Sequence, residues 1–245
     1  MKLQFVGSGD AFGHGNRFNT CFYLSTSGGG SLIDCGATSL IALKKQEIDP
    51  RSIETILITH FHADHFGGIP FLMLDAQFSK REAPLTIVGP PGLKDAFIAV
   101  METAFPGSSS VRQKFSLNIL ELAPRELLAI GRLQLIPYPV NHGSPDGLNF
   151  YAYRISAENR VVTYTGDTEW TDELIEAGRD ADLLIAEAYF FEKKIRGHLD
   201  LATLIEHLGL IQPKRLILTH MGRDMLERLP NLSFETAYDG KVVEI

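Results

Sequence analysis

Three histidines and an aspartate stand within six positions of the segment THFHADHFGG, residues 59–68, directly after the apolar run ETILI. Imidazole nitrogens and carboxylate oxygens, without a thiolate, are ligands that suit zinc, manganese or iron. An extended or tightly turned backbone lets His60 and His62 converge on one ion, while Asp64 and His65 face another. Because side chains of these types crowded together seldom serve packing, the segment predicts a metal site.

Three further candidates stand alone, each in a turn that follows an apolar run: His142 in VNHGSP, Asp167 in VVTYTGDTEW and His220 in LTHMG. Taken singly, each is explained as well by a polar turn residue, but the whole set favours metal binding. A strand holds its backbone rigidly to its end, and the loop beyond it frees a side chain to coordinate. A carboxylate such as that of Asp167 can bridge two ions about 3.5 to 4 Å apart that share a hydroxide nucleophile. We therefore predict a hydrolase with a two-metal site.

The elements that position these side chains follow from the hydrophobic pattern. Short apolar runs bounded by turn residues predict strands: KLQFVG, CFYLS, SLIDCG, TILIT, LTIVG, LQLIPYPV, NFYAYRI, RVVTYTG, DLLIAEA and KRLILTH. Helical spacing of apolar residues occurs at 38–47, 67–78, 92–104, 170–178 and 200–210. The mixture predicts an α/β sandwich. The runs ILITH and LILTH both end in Thr-His, which suggests two related halves that meet at one site.

The composition is that of one globular domain, residues 1–245, with 44% hydrophobic residues and a formal net charge of -7. This acidic balance gives no global basic field of the sort that collects nucleic acid or an anionic membrane. No apolar run approaches the ~20 residues that span a bilayer, and the first residues lack the pattern of a signal peptide. We therefore expect a cytoplasmic protein with no membrane partner. Cys21 and Cys35 lie in apolar segments, as buried thiols do.

The motif HFHADH, followed by a single His, a single Asp and a single His, closely resembles the metallo-β-lactamase superfamily, and LIDCG and VVTYTGDT extend the likeness along the chain. The resemblance implies the αββα four-layer sandwich, with two divalent ions at the sheet edge, zinc or manganese, with iron as a further option. It assigns His60, His62 and His142 to one ion, Asp64, His65 and His220 to the other, and Asp167 as the bridge. Asp34 in LIDCG matches a position that orients a ligand, although a turn residue ending a strand explains it nearly as well.

The segments GSGDAFGHGNRFNT and GHLDLATLIEHLGLIQPKRLILTH resemble tRNase Z and its phosphodiesterase relatives. In that branch a histidine before the last helix acts beside the metals, supported by a glutamate from the preceding strand. The resemblance thus implies that His198, Glu187 and Asp64 are catalytic. His198 would either protonate the departing alkoxide or bind the substrate. Where the branch often has Ser-Thr after that histidine, this chain has Leu199 and Asp200, and Asp200 is a good N-cap for the following helix.

The expected substrate is a small phosphodiester or nucleotide. tRNase Z enzymes carry a long tRNA-clamping arm between the third-motif histidine and the bridging aspartate, whereas His142 and Asp167 are only 25 positions apart and the interval predicts a hairpin. We expect no stable nucleic-acid complex, and the resemblance implies a tendency to form homodimers. The alternatives are a lactone, thioester or β-lactam hydrolase, a tRNA 3′-processing endonuclease, and a di-iron electron-transfer centre or a degenerate binding module.

Several residues near these motifs are weaker candidates for contact with a substrate. Basic side chains suited to a phosphate group are those of Arg17, Lys193, Lys194 and Arg196. Most basic residues of this kind only keep a surface soluble. His14, in the Gly-rich segment GHGNR, lies near the mouth of the site in the family, although a solvated loop position is the simpler explanation.

Overall fold

The computed structural model describes residues 1–143 and 149–245. The strands are β1 (Lys2–Gly7), β2 (Cys21–Thr26), β3 (Gly29–Ile33), β4 (Ile53–Leu57), β5 (Leu85–Gly89), β6 (Leu117–Glu121), β7 (Leu128–Ile130), β8 (Leu133–Pro139), β9 (Tyr151–Ala157), β10 (Arg160–Tyr164), β11 (Leu183–Glu187), β12 (Leu216–Thr219) and β13 (Val242–Glu244). The helices are α1 (Ser39–Lys45), α2 (Ala63–Phe66), α3 (Ile69–Phe78), α4 (Leu93–Ala104), α5 (Glu173–Gly178), α6 (Leu201–Ile211) and α7 (Arg223–Arg228).

The strands form two sheets, in the orders β13-β1-β2-β3-β4-β5-β6 and β12-β11-β10-β9-β8-β7. Strands β3 to β6 run parallel, and so do β10 to β12. Parallel strands that are covered on both faces consist almost entirely of apolar residues, which explains the segments TILI and LLIA. The carboxyl ends of these parallel strands carry the loops that hold most of the predicted ligands.

Three apolar cores separate four layers. The central core lies between the two sheets and includes Phe5 and Phe22, whose ring centroids are 4.9 Å apart. A second core packs α1, α3 and α4 on the outer face of the first sheet, and a third packs α5, α6 and α7 on the outer face of the second. This arrangement is the αββα sandwich that the family resemblance implies.

Local details agree with most of the sequence-based predictions. The carboxylate of Asp200 accepts a hydrogen bond from the Thr203 N–H at 2.9 Å, so it caps α6 as expected. Strands β9 and β10 pair as the predicted hairpin, although residues 144–148 of that interval lie outside the described residues. Strand β3 ends earlier than SLIDCG suggested, because Asp34 adopts a left-handed backbone with φ 59°. Cys21 and Cys35 are buried and free.

Among the helices of the described residues, none combines the length and the apolar character that crossing a membrane requires.

Candidate metal centre

The motif HFHADH forms the connection from β4 into α2. His60 follows the end of β4, and His62 is the N-cap residue of α2, with an extended backbone (φ -65°, ψ 149°). Asp64 and His65 lie within the single turn of α2 itself. The carbonyl of His65 accepts a hydrogen bond from the Cys35 N–H at 2.7 Å, so the loop after β3 fixes the turn from behind. All four candidate side chains therefore lie on short, anchored backbone.

His60, His62 and His142 form a first cluster in which one ring nitrogen of each lies within 4.8 Å of the others. The Nε2 atom of His142 lies 3.0 Å from Nδ1 of His62. The Nδ1 atom of His142 is hydrogen-bonded to the carbonyl of Gly197, which leaves Nε2 for a ligand. Burial lowers the pKa of His142 and lowers that of His60 well below its ordinary value, so both rings are neutral at pH 7. A neutral imidazole keeps the lone pair that metal binding requires.

Asp64, His65, Asp167 and His220 form a second cluster of the same compactness. The Oδ2 atom of Asp167 lies 3.3 Å from Nε2 of His65 and 3.1 Å from Nε2 of His220. His220 has a left-handed backbone, with φ 52°, and its Nδ1 atom lies 3.2 Å from the hydroxyl of Thr20. Burial lowers the pKa of His220 to about 4, so its ring is also neutral at pH 7.

Asp167 lies between the two clusters. Besides its contacts in the second cluster, Oδ2 of Asp167 is 3.9 Å from Nε2 of His142 in the first. Burial opposes its charge, but the neighbouring His220 and His65 outweigh that effect and hold the pKa of Asp167 well below its usual range. The carboxylate is therefore ionised and faces both clusters, as a bridging ligand must.

Three polar atoms at the centre are buried without a hydrogen-bond partner among the residues that the structure describes: His60 Nε2, His65 Nε2 and Asp167 Oδ1. A buried unsatisfied polar atom costs about 1 to 3 kcal/mol, so three together call for an explanation. Bound cations would satisfy them, because imidazole nitrogen and carboxylate oxygen are ligands for zinc and manganese. The side chains present therefore fit two divalent ions.

Asp34 orients one of these ligands. Its buried carboxylate lies 2.7 Å from Nδ1 of His65 and accepts hydrogen bonds from the N–H and the hydroxyl of Thr59, each at 2.8 Å. Holding the proton on Nδ1 leaves Nε2 of His65 free for a metal ion. This geometry favours an orienting role for Asp34 over the simpler explanation of a turn residue.

Asp34→Asn should weaken metal binding by about 10- to 100-fold, because an amide cannot accept from Thr59 and from His65 in the same way. The affinity is measured by competition with a chelator. Asp180→Asn is the matched control, since Asp180 is exposed and has the same left-handed backbone, with φ 53°. Unchanged affinity in a folded Asp34→Asn protein would contradict the orienting role.

His198 and Glu187 form a hydrogen-bonded pair beside the second cluster. Glu187 ends β11, is fully buried, and its Oε2 lies 2.9 Å from Nδ1 of His198. The other carboxylate oxygen accepts from the backbone N–H groups of Thr168 and Leu199, which fixes its position. Nδ1 of His198 is 4.0 Å from Oδ2 of Asp167, so the ring lies next to the candidate bridging ligand.

The electrostatics of the pair favour a cationic His198. Burial alone would lower the pKa of its imidazole, but the hydrogen bond and the charge of Glu187 raise it to about 9. Burial, with the charge of Asp167, raises the pKa of Glu187 to about 7. The pair therefore holds a proton at neutral pH, and Nε2 of His198 is left to donate towards the pocket that the ring lines.

Two supporting residues, Tyr189 and Asp10, were not predicted from the sequence. The ring of Tyr189 stacks on His198, with centroids 4.7 Å apart, and its hydroxyl donates to the carboxylate of Asp10 at 3.2 Å. The same buried carboxylate lies 2.6 Å from Nδ1 of His14, so His14 is held by Asp10 and is not a freely solvated loop residue. An aspartate between glycines in GSGDAFGHG was the one available signal, and it did not show which side chains Asp10 contacts.

Two of the basic candidates, Arg17 and Lys193, make contacts with other parts of the chain. The guanidinium of Arg17 donates to the carbonyl of Ala237 at 2.8 Å and to the hydroxyl of Ser8 at 3.4 Å, which is a structural role. The ammonium of Lys193 lies over the ring of Phe190, 4.9 Å from its centroid. Among the described residues, none of these basic side chains lines the pocket at the two clusters.

The chain is similar to known proteins in sequence and in fold. A sequence model of the family described as anti-Pycsar protein Apyc1 matches residues 1–236. Ribonuclease Z of Geobacillus kaustophilus is 27% identical over 282 residues, covering 90% of this chain and 88% of that one. The short form of human tRNase Z has a TM-score of 0.81 at 24% identity, covering 100% of this chain and 99% of that one. A diphosphatase from the PhnP family has a TM-score of 0.78 at 20% identity, covering 100% and 97%.

Proposed function

This chain belongs to the family described as anti-Pycsar protein Apyc1, and we propose that it cleaves small phosphodiesters, such as cyclic or short-chain nucleotides. It is a metal-dependent hydrolase with the metallo-β-lactamase fold, in the branch that includes tRNase Z and phosphodiesterases. The observation that carries the proposal is the His198–Glu187 pair beside the ligand clusters. A two-metal site alone also suits carbonyl hydrolysis, whereas a held proton next to it suits a poor alkoxide leaving group.

Each side chain has a part in the proposed reaction. Two divalent ions, when bound, supply positive charge for the phosphodiester and make hydroxide available at neutral pH. The first ion would be held by His60, His62 and His142, the second by Asp64, His65 and His220, with Asp167 shared between them. His198 holds a proton at Nε2 and delivers it to the departing oxygen, while Glu187 keeps the Nδ1–H in place. Asp64 contributes as a ligand whose charge offsets that of the ions.

Two features support a small substrate over a folded tRNA. Tight binding of RNA relies on many basic contacts to phosphates, and this chain has 30 acidic against 23 basic residues. The alignment with ribonuclease Z of Geobacillus kaustophilus spans 282 residues against the 245 of this chain, so that enzyme contains segments that this chain lacks. A small diester needs less protein surface, because the ions and His198 balance its single charge.

The identity of the metal ions is inferred from the ligand chemistry, and the cellular location from the free thiols. We take zinc or manganese as the native ions, since the ligands are nitrogen and oxygen only. We place the protein in the cytoplasm, where free thiols such as those of Cys21 and Cys35 persist. Removal of a 3′ trailer from tRNA is the second candidate function, because the named relatives include ribonuclease Z.

The proposal predicts turnover of a 2′,3′-cyclic nucleotide or a short oligonucleotide by the metal-loaded protein, and no site-specific cleavage of a precursor tRNA with a 3′ trailer. Under the proposal, a lactone and nitrocefin should be turned over far more slowly than the diesters. Initial rates on the five substrates, at one protein concentration and moderate salt, make the comparison.

Asp167→Ala protein purified in the same way is the control for contaminating nucleases. Efficient trailer removal with no turnover of either small diester would replace the proposal with tRNA processing. Preferential turnover of the lactone or of nitrocefin would replace it with carbonyl hydrolysis.

A further inference from the structure

The pocket at the ligand clusters is too small for a whole nucleotide. Its volume is about 130 Å³, whereas sites that enclose a small organic ligand measure roughly 300 to 1,000 Å³. The metal ligands and His198 surround the space where the phosphate group would react. The remainder of any substrate must therefore lie outside this pocket, against a neighbouring surface.

A groove of about 540 Å³ adjoins the pocket, and Phe12 lines both. One wall of the groove is the loop from Phe12 to Asn16, and the other is the face of α7 that carries Arg223, Leu226 and Glu227. Phe12 is thus the residue at which the pocket and the groove meet.

Phe12 is 75% exposed even though its loop is firmly anchored. The carboxylate of Asp10 accepts hydrogen bonds from the backbone N–H groups of Phe12 and His14, at 3.2 and 3.1 Å. Gly15 has φ +69°, and a Cβ atom there would lie 3.0 Å from Cδ1 of Leu226, so the loop packs closely on α7. A single exposed phenylalanine is ordinary on a protein surface. An anchored one at the edge shared by a catalytic pocket and a groove is suited to contact with a ligand.

We propose that Phe12 is a stacking platform for an aromatic base and that the groove between its loop and α7 holds the nucleoside part of the substrate. The proposal rests on the proposed function and narrows it to diesters that carry a nucleobase. Aromatic side chains stack on bases through the π face, which every base has. The side chains of Asn16, Arg223 and Glu227 supply donors and acceptors for the polar edge of a base. Charges of both signs on the groove walls suit such an edge better than a purely apolar ligand.

The test measures binding to the metal-loaded protein and requires no turnover. Calorimetry compares the 3′- and 5′-monophosphates of one nucleoside with ribose 5-phosphate, which lacks the base. Wild type should bind the better nucleotide about 10- to 100-fold more tightly than ribose 5-phosphate, the range expected for one stacked base. Phe12→Ala should lose most of this advantage and leave ribose 5-phosphate binding unchanged, while Phe12→Tyr should retain the advantage.

Phe78→Ala is the matched control, because Phe78 is 80% exposed at the end of α3 and lines neither cavity. An equal loss for both ligands in Phe12→Ala, or no loss for either, would overturn the proposal. So would a wild type that binds nucleotides no more tightly than ribose 5-phosphate. Because binding is measured on monophosphates, failure to hydrolyse any diester would refute the proposed function and leave the result for Phe12 separate.

Discussion

Asp167→Ala should lose at least one of the two divalent ions and reduce hydrolysis to the background rate. The Oδ2 atom of Asp167 lies 3.3 Å from Nε2 of His65 in one cluster and 3.9 Å from Nε2 of His142 in the other. Its carboxylate thus supplies negative charge between two positions where cations would repel each other. Without it the histidines remain, but the charge that holds two ions close together is gone. Elemental analysis of fully metal-loaded, desalted protein gives the stoichiometry.

Asp172→Ala is the matched control for this substitution. Asp172 lies five positions further along the chain, is exposed, and its side chain makes no capping hydrogen bond to α5. It should keep two ions and full activity. Wild type that holds at most one ion when fully loaded, or Asp167→Ala that retains two, would remove the basis for a dinuclear site.

The fold and the family were predictable because their signals are local in sequence. HFHADH places four candidate ligands in six positions, and each strand beside the site ends at a turn marked by Gly, Asp or His. Parallel strands covered by helices on one face and by the other sheet on the opposite face produce apolar runs that are easily recognised. The structure confirms the α/β sandwich that these runs predict and the αββα layers that the family resemblance implies.

Three strands and one helix that lack such local signals were not predicted from the sequence. Strands β7 and β13 have three residues each and lie at the edges of their sheets, so no alternating or continuous apolar run marks them. Strand β6 is the other edge strand of the first sheet, and its side chains are exposed or only half-buried. Helix α7 has the sequence RDMLER, in which Met225 is the one buried residue, so helical periodicity is absent.

Contacts between segments that are distant along the chain could not be predicted from the sequence either. Asp10 and Tyr189 are 179 positions apart, yet their hydrogen bond sets the ring that stacks on His198. The residues around His207 are those of a solvated helix surface. Its ring nevertheless stacks on that of Trp170, with ring centroids 4.0 Å apart. Whether a polar side chain meets solvent, a metal or another side chain depends on which segments the fold brings together.

His198→Ala should reduce turnover of an alkyl phosphodiester by about 10²- to 10⁴-fold, the usual contribution of a positioned general acid. The loss should be much smaller on bis(p-nitrophenyl) phosphate, because p-nitrophenolate leaves without a proton. Metal content should remain at two ions, since His198 lies beside the ligand clusters and is paired with Glu187. Initial rates on both substrates, with elemental analysis of the same samples, make the measurement.

Two further variants separate proton donation from other roles of His198. His207→Ala, a histidine replaced outside the site, should leave both rates unchanged. Glu187→Gln should give a loss with the same dependence on the leaving group, because an amide no longer stabilises the charge of His198. It also has one acceptor oxygen for the donors that the two carboxylate oxygens now share. If His198→Ala loses the same factor in rate on both substrates and retains two ions, His198 binds the substrate or the transition state and does not act as the acid. Only a loss that grows as the leaving group becomes more basic assigns the transferred proton to His198.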